Sequence, residues 1–256
     1  MSWNNRYDVP IDIVLDYYAV SDASKSGRAM VNVEGKGEGS QFVSLTYGDN
    51  ILLSGEECVV NVSGQDEAEN SSEPIEFRVT PLAVMKLDRS DWTFPGYVDD
   101  SNDTTIGYSS QETIGEGGGK SPNGRVIAML DGDLATYWHA SWKTVYKYPH
   151  WFIVDMGKNV KVSSVEITRR QGDNRGQTGQ HFYTCSSENA TNPSNPDAWK
   201  WDDQGSYSFD INSDAPQMFR LPANPVCRYI KVYFGEEYKG TADQAMVSEF
   251  NVYGAE

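Results

Sequence analysis

Helical periodicity is almost absent from this chain, and that absence limits its fold more than any other feature. In its place, short runs alternate apolar and other residues and are cut by Gly, Asp, Asn and Pro. Val9, Ile11, Ile13 and Leu15 form one such run. Ile230, Val232 and Phe234, alternating with Tyr229, Lys231 and Tyr233, form another. A period of two sends successive side chains to opposite faces, so each run reads as a strand with one face in a core. The pattern predicts an all-β chain built from sandwiches.

Two domains are expected. Over 1–85, further strands are predicted at 29–33, 42–47, 58–62 and 75–80, separated by turns such as Gly35-Lys36-Gly37 and Tyr47-Gly48-Asp49-Asn50. This density of short strands predicts a small immunoglobulin-like sandwich. Near Met85 the composition shifts: six of the seven Trp and all three His lie beyond it. Over 86–256 the reading is a strand at 86–94, then a loop at 96–124 rich in Gly, Ser and Asp. That loop is long for a compact domain, which marks it as ordered by its neighbours or functional. Strands are predicted at 150–156, 162–169, 181–185, 207–211, 217–221, 228–234 and 248–253, a set that fits an antiparallel jelly roll.

The net charge of −16 is spread over both domains. Such a surface repels phosphate backbones and anionic lipid, and leaves neutral sugars and divalent cations as partners. No apolar run approaches the ~18 residues of a membrane span. Met1 to Tyr7 is polar and carries no signal core, so a targeting segment of an exported protein would lie before it. Cys58, Cys185 and Cys227 sit in apolar strand-like runs without a Cys-x-x-Cys, which argues against zinc or redox chemistry. Free, buried thiols are expected, with a Cys185–Cys227 bridge left open. Asn61, Asn70, Asn102 and Asn189 open Asn-x-Ser/Thr sequons and mark hydrophilic loops.

The densest motif is Asp131-Gly132-Asp133-x-x-Thr136-x-Trp138-His139. Two carboxylates flank a Gly suited to a tight turn, and a hydroxyl follows. Calcium takes six to eight oxygens, which irregular loops can supply. The spacing is not that of an EF-hand, because Trp142 stands where the twelfth-position Glu belongs. Asp131 and Asp133 also suggest a glycoside hydrolase pair, but two acids in one turn leave no cleft for a sugar ring between them.

Four blocks in order carry a resemblance: the Asp131 motif, Pro149-His150-Trp151-x-x-Val154-Asp155-Met156-Gly157, Arg228-Tyr229-Ile230-Lys231-Val232, and Ser248-Glu249-Phe250-Asn251-Val252-Tyr253-Gly254. Residues 86–256 resemble the coagulation factor 5/8 type C (discoidin-like) family, most of all its family 32 carbohydrate-binding modules. The resemblance implies a galactose-binding-like jelly roll with a structural Ca2+. Its ligands would be the side chains of Asp131, Thr136 and Glu249 and the carbonyls of Ala128, Asp133, Thr136 and Ser248. It implies sugar binding at edge loops, where an aromatic face and planar donors meet the pyranose. Arg170, His139 and Trp142 are the first candidates, then Arg175, Tyr146 and Tyr238, with Arg169 beside them and Gln180 and His181 behind. Trp138 and Trp151 are read as core, and Trp199 and Trp201 as packing. The N-terminal domain resembles the immunoglobulin-like domains of Bacteroides-type surface lipoproteins. The function implied is non-catalytic capture of an oligo- or polysaccharide, galactose-type among the possibilities, beside the proteins of a glycan-import system. The expected place is the bacterial outer-membrane surface through a lipid anchor, or the periplasm or medium. Alternatives are a glycoside hydrolase or a fragment of one, and an adhesion module for protein or lipid.

Overall fold

The computed structural model describes all residues except 41–42, 49–50, 54, 82–83, 145–146 and 256. Its strands are β1 (Ser2–Asn4), β2 (Ile11–Ala19), β3 (Asp22–Val33), β4 (Glu38–Ser40), β5 (Thr46–Tyr47), β6 (Ile51–Leu52), β7 (Cys58–Gln65), β8 (Ile75–Val79) and β9 (Met85–Lys86). They continue with β10 (Trp138–His139), β11 (His150–Arg169), β12 (Gly179–Cys185), β13 (Asp202–Ser208), β14 (Gln217–Arg220), β15 (Val226–Phe234) and β16 (Met246–Ala255). Only short 3-10 turns interrupt them among the described residues. No helix among the described residues is long and apolar enough to cross a membrane. The chain divides into two units, Met1–Ala83 and Val84–Glu256.

In the first unit an antiparallel sheet runs β3-β2-β7-β8, with two-stranded sheets β1-β4 and β5-β6 beside it. Alternation in β2 and β7 puts Leu15, Tyr17, Ala19, Cys58 and Val60 on one face, where they bury with Leu45 and Leu53. The predicted strand at 42–47 starts on a residue outside the described set and is seen as β5.

The second unit is a jelly-roll sandwich made from one eight-stranded sheet, ordered β10-β16-β11-β15-β12-β13, with β14 on β11 and β9 on β16. The strands predicted at 150–156 and 162–169 are one strand, β11. Its first half pairs with β15, its second with β16 and β14, and the register slips between Asp155 and Val160. One strand thereby serves both layers. Between them lie Trp138, Phe152, Phe234 and Phe250; Trp138 meets Phe152 at 5.4 Å and Phe152 meets Phe250 edge-on at 5.6 Å. Burying each such ring stabilises the fold by roughly 1.5–3 kcal/mol.

Three expectations need correction. Of the strand predicted at 86–94 only β9 at its start and a single bridge from Thr93 to Asp155 are paired, because 89–92 turn back with the Trp92 N–H donating to the Arg89 carbonyl. Trp151 is outside the main core: it shares a face of β11 with Ile153, packs half-buried against a second buried cluster of Ile153, Cys185, Trp199 and Tyr229, and lies under the Lys231 ammonium, 5.0 Å from its ring centre. Trp199 is buried beside it, and the Trp201 ring stacks on Trp199. Arg169, placed beside the sugar candidates, is buried and turns inward to donate to the Ile211 carbonyl at 3.0 Å. The three cysteines are free and buried.

The long loop at 96–124 is tied down from within. The Gln111 amide donates to the Val98 and Ser101 carbonyls, and the buried Arg125 donates to the Asp99 carbonyl and Asp100 carboxylate. This fixes residues 109–116 against β10 and the loop that follows it.

Candidate glycan site and oxygen-rich loop

The site forms where three loops meet at one end of the second unit. The loop at 112–116 brings Glu116. The end of β10 and the turn after it bring Tyr137, His139 and Trp142, and the turn after β11 brings Arg170 and Asp173. Glu116 is the hub. Its Oε1 accepts from the Trp142 indole at 3.0 Å and lies 3.8 Å from both His139 Nε2 and Arg170 Nη1. Its Oε2 accepts a short hydrogen bond from the Tyr137 hydroxyl. The Arg170 guanidinium lies over the Tyr137 ring at 4.2 Å, a cation–π contact that holds it flat.

The charges of these groups follow from their contacts. Burial pulls the His139 pKa below its usual 6.5, although nearby Glu116 opposes this, so the ring is neutral at neutral pH. Nδ1 lies 2.7 Å from the Ala140 carbonyl and must carry the proton there. Nε2 is therefore a lone-pair acceptor beside Glu116. Burial and then the Glu116 bond push the Tyr137 hydroxyl up to about 12, so it stays a donor. Arg175 clamps Asp173 at 2.7 Å and holds that carboxyl down to about 2. The cluster thus offers Arg170 as a planar donor and Glu116 and His139 as acceptors. Trp142 is 39% exposed, with its indole packed on Gly115 and the Lys143 ammonium over its ring at 5.9 Å.

Arg170, His139 and Trp142 are brought together, and Arg175 joins them through Asp173. Tyr146 lies outside the described residues. Tyr238 is elsewhere: its ring packs on Gly179 and its carbonyl accepts from Thr178. His181 faces Asp203 and Ser206 across β12 and β13, and buried Gln180 makes no side-chain hydrogen bond among the described residues. His150 Nε2 bonds the Asp243 carbonyl at 2.8 Å, while its buried Nδ1 has no partner among the described residues. Sequence reasoning missed Glu116 and Tyr137. The only available signal was a pair of glutamates, Glu112 and Glu116, inside a Gly-rich loop already marked as too long.

At the Asp131 loop, the Asp131 carboxylate accepts from Asp133 N at 2.8 Å and from the Thr136 hydroxyl at 2.6 Å. The Asp133 carbonyl accepts from Thr136, and the Ala128 carbonyl faces Asp131 N at 3.4 Å. Glu249 from β16 is 5% exposed, and its Oε1 has no hydrogen-bond partner among the described residues. Arg89 touches Oε2 and donates to the Met129 and Phe250 carbonyls. Burial raises the Glu249 pKa, Arg89 opposes this, and Asp131 adds like charge. Among the described residues no three His, Cys, Asp or Glu side chains gather around one point. The set is two carboxylates, a hydroxyl and carbonyls, all hard oxygens, with one guanidinium against two negative charges. A buried carboxylate oxygen without a partner and this donor set fit calcium.

The model of the F5/8 type C domain family matches residues 105–250. This chain belongs to the F5/8 type C domain family. A sialidase of Micromonospora viridifaciens is 30% identical over 161 residues, which make up 62% of this chain and 22% of the sialidase, so the likeness spans a minor part of that protein. The C-terminal domain of a chitobiase from Bacteroides fragilis matches 67% of this chain and 98% of its own at 25% identity, with a TM-score of 0.53. A SusE-like protein matches 99% of this chain and 96% of its own at 16% identity and a TM-score of 0.51, a likeness of fold. Family 32 carbohydrate-binding modules are among the structural neighbours of this F5/8 type C domain.

Proposed function

We propose that the second unit is a non-catalytic carbohydrate-binding module that takes a galactose-type residue at the Glu116 cluster. The observation that carries this reading is the convergence on Glu116 of the Trp142 indole, the Tyr137 hydroxyl, His139 and Arg170. A pyranose has one apolar face and a rim of hydroxyls, and this cluster pairs a half-open indole with one planar donor and two acceptors. Calcium at Asp131, Thr136 and Glu249, with the Ala128, Asp133 and Ser248 carbonyls, would tie the loop after 130 to the last strand. That role is structural, because each Asp already accepts backbone N–H groups of its own turn. The first unit serves as an immunoglobulin-like spacer. The whole acts outside the cell, at a bacterial outer-membrane surface through a lipid anchor or free in the periplasm or medium, capturing glycan for uptake or degradation.

Titration calorimetry with galactose, N-acetylgalactosamine and their β-linked oligosaccharides tests the site. Arg170→Ala removes a charged hydrogen-bond donor worth about 1.5–3 kcal/mol, so affinity falls tenfold or more while the melting temperature stays close to that of the wild type. Binding that survives Arg170→Ala would place the sugar elsewhere. Release of reducing ends from a bound polysaccharide by the intact chain would end the non-catalytic reading.

A further inference from the structure

Glu112 lies four residues before the hub Glu116 and has no place in sugar recognition. Its side chain is wholly buried. Oε1 accepts from Ile114 N at 3.1 Å and Gly115 N at 2.8 Å. Oε2 accepts from Trp142 N at 3.0 Å, Lys143 N at 2.9 Å and the Ser141 hydroxyl at 3.3 Å. The two oxygens therefore divide the work: one holds the wall that carries Glu116, the other the wall that carries Trp142. Among the described residues no Lys or Arg pairs with this carboxylate, so hydrogen bonds alone compensate its burial. Burial pushes its pKa up, yet the N–H groups of Lys143, Gly115, Ile114 and Trp142 together hold it below the usual value.

The two walls meet with no slack. A Cβ on Gly115 would fall 2.2 Å from Trp142 Cζ2, so the indole rests directly on the backbone that Glu112 grips. The same indole then donates to Glu116. A displacement of either wall by a few tenths of an ångström would lengthen that bond or lift the indole from its seat. Packing alone leaves such freedom to exposed loops; five hydrogen bonds on one rigid carboxylate remove it.

We propose that Glu112 is the positioning residue of the glycan site, a staple whose two oxygens set Trp142 against Glu116. This rests on the glycan-binding reading above. Glu112→Gln keeps the volume but turns one acceptor into a donor facing backbone N–H groups, so one wall is released. Glu112→Asp keeps the charge but is one methylene too short to reach both walls.

Indole N–H resonances in 1H–15N spectra of the full chain, with Trp142 assigned through Trp142→Phe, give a readout that needs no ligand. In Glu112→Gln the Trp142 resonance shifts while those of Trp199 and Trp201, on the outer sheet face, stay in place. Affinity for the best glycan falls tenfold or more. In a Trp142→Ala background the same change costs less than twofold further, because its effect passes through Trp142. If Glu112→Gln does not fold, Glu112→Asp carries the same comparisons. An unmoved Trp142 resonance, or losses that multiply in the double variant, would overturn the proposal. If the wild type binds no glycan, the functional reading falls, and the Trp142 resonance still decides the role of Glu112.

Discussion

Glu112 and Glu249 are both buried carboxylates in the second unit, and their surroundings drive them in opposite directions. Glu112 gathers five N–H and O–H donors, and its pKa is lowered despite burial. Glu249 has Arg89 on one oxygen and no hydrogen-bond partner on the other among the described residues, and burial raises its pKa against the opposing pull of Arg89 and the Gly132 N–H. Burial by itself therefore does not fix the state of a carboxylate; the count of donors aimed at it does. The first site is complete as it stands. The second is short of positive charge, and that deficit is what a divalent cation would fill.

The contrast breaks most readily at Glu112. Replacement by Ala leaves five donors without their acceptor and costs on the order of 3–5 kcal/mol, read from guanidinium unfolding of the full chain. An unfolding midpoint equal to that of the wild type would show that water replaces the carboxylate without loss. The next effect is calcium. At a hundredfold excess over its dissociation constant the ion should stabilise the fold by about 2.7 kcal/mol, seen as a rise in melting temperature that EDTA reverses. In Glu249→Gln this rise should vanish, whereas in Glu112→Asp it should persist. A melting curve indifferent to both calcium and EDTA would leave Arg89 as the sole counter-charge of Glu249.

The smallest effect lies in the pH dependence without calcium. Glu249 has a folded pKa above 4.5, so its stabilising contribution is present below that value and is lost as pH rises through the folded pKa. Glu112 has a folded pKa below 4.5, so its contribution is present above that value and is lost as pH falls through the folded pKa. Glu249→Gln should flatten the stability profile above pH 4.5, and Glu112→Gln should flatten it below. Calorimetry across pH 3–8 separates the two limbs. Sugar affinity should show a third limb: protonation of His139 removes its Nε2 acceptor, so binding weakens as pH falls through a midpoint below 6.5.

Much of the second unit could be read in advance because its signals are local. The alternation of Tyr229 to Phe234 fixes which side chains face the core, and the structure places Ile230, Val232 and Phe234 there. The same rule, applied to β11, would have kept Trp151 out of the main core: Phe152 and Val154 face it, so Trp151 and Ile153 face the second cluster on the other side of the sheet. Arg170, His139 and Trp142 were singled out as sugar contacts, and they lie around Glu116, which was not singled out. The burial of Arg169 could not be read in advance because a buried arginine needs a distant carbonyl, here that of Ile211, and no window of sequence around 169 contains it.

The chain's alternating pattern and its ordered motif blocks were sufficient to determine strands, a jelly roll and an oxygen-rich turn at Asp131. These depend on residues a few positions apart, where backbone geometry converts spacing into facing. The tertiary structure alone decided that Tyr137, Trp142, His139 and Arg170 converge on Glu116, that Glu112 joins the 114–115 backbone to that of 142–143, and that Arg89 reaches Glu249. Except for the bonds of Glu112 to Ile114 and Gly115, those contacts join segments far apart in sequence. Their energy comes from burial and hydrogen-bond geometry that exist only once the loops have closed.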